Sequence, residues 1–101
     1  PYLPPGLRAF ALYVQAHYLY LKEDYARSAG IVEATLAMGA AKYPIPAIYL
    51  HLVSVMDYMS LKRSDRAEEH LLKAWDIARL MILSKGLESI TVYWEECSKQ
   101  S

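Results

Sequence analysis

The amino-acid sequence predicts an all-α fold built from antiparallel helix hairpins. Apolar residues recur three and four apart through four stretches that prolines and turn residues separate, and no sustained period-two alternation runs between hairpin turns. With 101 residues, 54% of them apolar, the chain is large enough and greasy enough for one packed domain.

The first helix is predicted from Pro5, a residue suited to an early helical position, to about Leu21. Its run YVQAHYLYL, Tyr13 to Leu21, holds three tyrosines and a histidine without a charge. Helical spacing puts Tyr13, His17 and Tyr20 on one face and Leu12, Ala16 and Leu19 on the next. A helix apolar on both faces is expected to lie between neighbours. Lys22, Glu23 and Asp24 then form a tight turn, with Asp24 as the expected cap of a second helix. That helix carries Tyr25, Ala29, Val32 and Leu36 at helical spacing and ends near Gly39 to Lys42, before Pro44 and Pro46 forbid continuation. A third helix, IPAIYLHLVSVMDYMSL, is closed by LKRSD. Asp65 and Glu68 have the spacing of a capping box. The fourth helix shows Ala67, Leu71, Ala74, Trp75, Ala78 and Ile82 as a stripe, for which Trp75 suggests core packing, with Glu69 and Lys73 paired on the far side. The pattern breaks at Ser84, Lys85 and Gly86, leaving ESITVYWEEC as a short last helix or an irregular tail.

The hairpins repeat. A shift of about 39 residues lays Leu19 on Tyr58, Ser28 on Ala67, Val32 on Leu71 and Thr35 on Ala74, matching size and polarity. The units are residues 5–43 and 44–84, followed by a tail, 85–101.

Charge and composition exclude several functions. Formal net charge is zero and the basic residues are scattered, so the footprint of nucleic-acid binding is missing from these residues. The longest uncharged runs, Ala9 to Leu21 and Tyr43 to Met56, fall short of the roughly 18–20 apolar residues that span a bilayer. The start, PYLPPGL, has neither the basic n-region nor the apolar h-region of a signal peptide, nor an initiator Met, so the chain reads as a piece of a longer protein. The single cysteine, Cys97, excludes an internal disulfide and suits a reducing cytoplasm.

The second unit, YLHLVSVMDYMSLKRSDRAEEHLLKAWDIA, resembles a tetratricopeptide repeat. Tyr58 stands at that family's late first-helix aromatic, Ala67 at the small residue of its second helix, and Leu71 and Ala74 at the next core positions. The period exceeds the usual value of about 34. More broadly, residues 4–80 resemble the helical-repeat region of LuxR-type transcriptional regulators of the MalT-like kind, most plainly in PPGLRAFALYVQAHYLYLKEDYARSAGIVEATLAMG and the unit that follows. The resemblance implies a sensing and protein-interaction domain, with the DNA-binding helix-turn-helix outside this chain. It implies as partners a second copy or other domains of the parent regulator, and admits a small-molecule effector between the tyrosines and His17. In tetratricopeptide hairpins the first helix of each pair faces the concave groove, which implies interaction residues Phe10, Tyr13, His17 and Tyr20 from unit one and Tyr49, Leu52, Met56 and Met59 from unit two. The competing reading is a general adaptor that holds a partner peptide in that groove.

Catalytic chemistry is not expected, nor a cofactor. His17, His51 and His70 lie on three predicted helices without metal-ligand spacing. Glu95 and Glu96 are adjacent and do not share a helix face, they disfavour a thiolate at Cys97, and the four glycines are isolated. Asp57, inside an apolar helix, is expected to hydrogen-bond or to pair with Arg27 or Lys62.

Overall fold

The computed structural model describes residues 3–100 and contains four helices: α1 (Pro5–Leu21), α2 (Tyr25–Ala37), α3 (Pro44–Ser60) and α4 (Ser64–Gln100). A short 3-10 turn, Ala40–Lys42, joins α2 to α3. Prolines start α1 and α3 in their first turns, where a missing amide hydrogen costs nothing. Gly39 ends α2 in the left-handed region at φ 103°, the conformation glycine adopts without a Cβ clash.

The two hairpins are copies of one design. The starts of α1 and α3, their ends, and the starts of α2 and α4 are each 39 residues apart. The tight turns repeat atom for atom. In the first, the Glu23 amide donates to the Tyr20 carbonyl at 2.9 Å and the Asp24 amide to the Leu19 carbonyl at 2.9 Å. In the second, Lys62 donates to Met59 at 3.1 Å and Arg63 to Tyr58 at 2.7 Å. These paired bonds form a Schellman motif, whose pivot needs positive φ. The pivots are Glu23 and Lys62, both at φ 62° and neither a glycine. A side chain there costs roughly 1–2 kcal/mol, against ~0.5–1 kcal/mol of extra chain entropy for glycine. Glu23→Gly and Lys62→Gly are therefore each expected to stabilise the fold by up to ~1 kcal/mol, seen in urea denaturation as a higher midpoint at constant slope.

Small residues let the helices close. Ala9, Ala16, Ala29, Ala47, Ala67 and Ala74 are buried at the contacts, and Leu50, Val32 and Val53 fill the centre. The helix α3 packs on α1, α2 and α4, whereas the α4 backbone approaches only α3. Ala16 and Leu19 are buried as expected, with Leu12 half-buried beside them. The third side of α1, with Leu7, Val14 and Tyr18, is open, so α1 lies between neighbours on part of its circumference only.

Several local expectations are corrected. Asp24 makes no side-chain cap bond and instead takes Arg27 at 3.4 Å. Asp65 accepts two bonds from the Arg63 guanidinium, each 3.2 Å, and Glu69 takes Arg66 at 2.7 Å rather than Lys73. The fourth-helix stripe is only partly core: Ala67 and Ala74 are buried, while Leu71, Trp75 and Ile82 are exposed. The pattern break at residues 84–86 does not end the helix, which runs straight through Gly86. Past Arg79 it leaves the domain and exposes Leu80, Leu83, Leu87, Ile90 and Trp94, which gives the molecule its 61 Å long dimension. No described helix is long and apolar enough to cross a membrane.

Candidate functional site

Stacking of α1 against α3 brings the aromatic residues of both hairpins into one ladder. Phe10 lies 6.0 Å from Tyr49, ring centre to ring centre, and Tyr49 lies 5.3 Å from Tyr13. Tyr13 meets His17 edge-on at 5.8 Å, His17 meets Tyr20 at 6.1 Å, and Tyr20 meets Tyr25 at 5.6 Å. The Tyr13 hydroxyl is also 3.3 Å from His17 Nδ1. Such spacings are those of attractive aromatic pairs, each worth about 0.5–1.5 kcal/mol beyond burial. Six rings thus form a continuous strip, and five of them are residues that the tetratricopeptide resemblance implies for the interaction face.

The strip has a dry edge and a wet edge. Tyr13, Tyr20 and Met56 pack against the buried cluster of Ala16, Val32, Leu50 and Val53. Tyr49, Leu52 and Met59 are exposed. On α3, Tyr49, Leu52, Met56 and Met59 follow one another at three- and four-residue spacing, so they share a face. Leu52 and Met59 extend the apolar surface without joining the ring contacts. Tyr25, which the sequence places at helical spacing with Ala29, Val32 and Leu36 on the second helix, is the sixth member. Its position immediately after the α1–α2 turn is the signal, because the turn folds it back against Tyr20.

A second assembly lies where α2, α3 and α4 meet, and sequence reasoning did not join its parts. His51 on α3 and His70 on α4 are buried with their Nδ1 atoms 2.8 Å apart. His70 Nε2 donates to Glu33 Oε1 at 2.8 Å, since a carboxylate can only accept. The 2.8 Å contact of the two Nδ1 atoms is a single hydrogen bond, with one ring donating and the other accepting. Arg66 adds a 3.0 Å bond to the same Glu33 oxygen, and Tyr58 stacks on His70 with its ring centre 5.7 Å away. Burial, followed by the neighbouring His70 and Lys73, pushes the His51 pKa down to about 4. The signal for this pair was the repeat itself: one unit earlier, His51 and His70 correspond to apolar Leu12 and Ile31. Among the described residues no group of three His, Cys, Asp or Glu is placed to hold a metal.

Asp57 is fully buried, and its partner is neither Arg27 nor Lys62. Ser28 Oγ donates to its Oδ2 at 2.6 Å across the α2–α3 contact, while Oδ1 has no protein partner. Arg27, in the first turn of α2, is exposed and pairs with Asp24, and Lys62 is exposed in the α3–α4 turn. Burial raises its pKa to about 6, against the opposing pull of the Ser28 hydrogen bond.

A cleft of about 300 Å3 opens beside the first turns of α1, with Arg8 and Lys42 at a rim otherwise formed by residues such as Leu12, Met38 and Tyr43. It is separate from the space between the tyrosines and His17 where an effector was expected. No protein-family model, curated protein or solved structure matches the chain.

Proposed function

We propose that this chain is a non-catalytic protein-interaction domain of a LuxR-type transcriptional regulator, which docks an apolar helix from another domain of its parent on the aromatic ladder. DNA binding belongs to that other part of the parent, because neutral charge with scattered lysines and arginines suits no phosphate backbone. The observation that carries the docking reading is the ladder: six rings from both hairpins lie in continuous contact, Tyr49 exposed and the other five half-buried. Aromatic rings with flanking methionines suit a helix laid along a groove, since the rings give rigid contact area and the thioethers adapt to its side chains. The resemblance to the regulator family supplies the biological setting.

The test is made on the protein of the native reading frame. Tyr49→Ala combined with Met59→Ala removes two exposed side chains and with them the Tyr49 contacts to Phe10 and Tyr13, so the domain is expected to keep a cooperative melt while losing about 1–3 kcal/mol of stability. The regulatory response should fall about tenfold or more, consistent with ~1–2 kcal/mol for losing an aromatic anchor, while DNA affinity is unchanged. A reading frame without any DNA-binding module would overturn the regulator reading and leave the adaptor reading. An unchanged response in the double variant would remove the ladder from the function.

A further inference from the structure

The repeat allows the two ends of the stack to be compared position by position with its covered middle. In the middle, α2 is covered by α3: Val32 is 0% exposed and Leu36 half-buried. One unit later on α4, the corresponding Leu71 and Trp75 are 50% and 66% exposed. Glu33, gripped by Arg66 and His70 of the following hairpin, corresponds to the exposed Leu72. The other end shows the converse. On α3 the face toward α2 includes Leu50, Val53 and Asp57, all 0% exposed. One unit earlier, the corresponding Ala11, Val14 and Tyr18 of α1 lie in solvent. Hence α4 ends in an uncovered copy of the α2 face, and α1 begins with an uncovered copy of the α3 face.

We infer that a second copy of this chain docks its α1 on the open face of α4, reproducing between molecules the α2–α3 joint within one. The register follows from the Ser28–Asp57 bond, which fixes how the two helices meet in the middle. Moved by one unit, it sets Tyr18 of the second copy over the position of Ala67, which α3 already buries to 3% exposure, so the new contact rests on the exposed residues that follow. With both helices antiparallel, Val14 then falls against Leu71 and Ala11 against Trp75. These pairs are medium on medium and small on large, which is the alternation that lets two helix surfaces interdigitate. The joint is heterologous, so each added copy presents a fresh α4 face and the assembly does not close at a dimer. This inference does not depend on the ladder, since neither Val14 nor Leu71 belongs to it.

Two single variants decide it. Val14→Glu spoils only the α1 side of the joint and Leu71→Glu only the α4 side, and both residues are exposed, so each variant should retain its helical circular dichroism and cooperative melt. Sedimentation velocity of the unmodified chain is expected to show mass rising with concentration in whole-chain steps beyond the dimer. Each variant alone should remain monomeric. Mixed in equal amounts they should form a one-to-one dimer and nothing larger, because one intact α1 face then meets one intact α4 face. The inference is overturned if the unmodified chain stays monomeric throughout, if either variant still associates by itself, or if the mixture fails to dimerise. Loss of association in Leu71→Glu alone would mean a symmetric α4–α4 contact instead.

Discussion

Asn in place of Asp57 is expected to stabilise the protein at neutral pH by about 2 kcal/mol and to make it acid-sensitive. The Asp57 pKa is raised from 3.8 to about 6 by burial, so the folded state holds this proton more tightly than the unfolded chain does. Its contribution to stability is therefore present in full below about pH 4 and is lost as pH rises through about 6, a change of about 3 kcal/mol. Asparagine keeps the oxygen that accepts from Ser28 and removes the charge, though its amide then lacks a partner at a cost of ~1 kcal/mol. His51 acts in the opposite sense. Its pKa is lowered from 6.5 to about 4, so its contribution is present above 6.5 and lost as pH falls through 4, again about 3 kcal/mol. In the unmodified protein the two slopes overlap between about pH 4 and 6.5 and largely cancel. Asp57→Asn leaves the His51 slope uncompensated. Urea denaturation at pH 7, 5.5 and 4 should show the variant above the parent at pH 7 and below it at pH 4. A difference between the two proteins that stayed constant with pH would refute the assignment.

His70→Ile is expected to cost about 2–3 kcal/mol, and most of that loss should return when His51→Leu is added. The single change strands the buried His51 nitrogen that now faces His70 at 2.8 Å, and an unpartnered buried polar atom costs about 1–3 kcal/mol. It also removes the Glu33 bond and the stack on Tyr58. The double variant restores at both positions the apolar residues of unit one, Ile31 and Leu12, and replacing both partners of a buried pair by apolar groups is close to neutral. A double-mutant cycle on chemical denaturation measures this directly, with an expected coupling of about 2 kcal/mol. Simple additivity of the two losses would show that the histidines do not act as a pair.

Helix starts were legible because their determinants are local. Pro5 and Pro44 fix the beginnings of α1 and α3, and Gly39 the end of α2. The ladder was legible for the same reason, since three- and four-residue spacing alone aligns Tyr13, His17 and Tyr20, and the 39-residue shift aligns the second hairpin with the first. The polar contacts were not. Ser28 and Asp57 are 29 residues apart, and His70 and Glu33 are 37 apart, so only the packed helices bring them together. The continuation of α4 was missed for a different physical reason. Hydrophobic periodicity reports burial rather than helicity, and it fades where α4 leaves the domain. One glycine at residue 86 then costs the helix only ~1 kcal/mol.

Mechanically, α4 is a lever. The residues beyond Arg79 rise about 1.5 Å each, so the free part of the helix extends about 30 Å from its last support on α3. A tilt of ~10° at that support, smaller than the roughly 15–20° scatter of similar helix crossings, moves the far end by ~5 Å. The packed length of α4 before that point is held by the buried contact of His51 with His70 and by Arg66 reaching back to Glu33. A small repacking at that hinge is therefore magnified at Trp94 and Cys97, far from where it began.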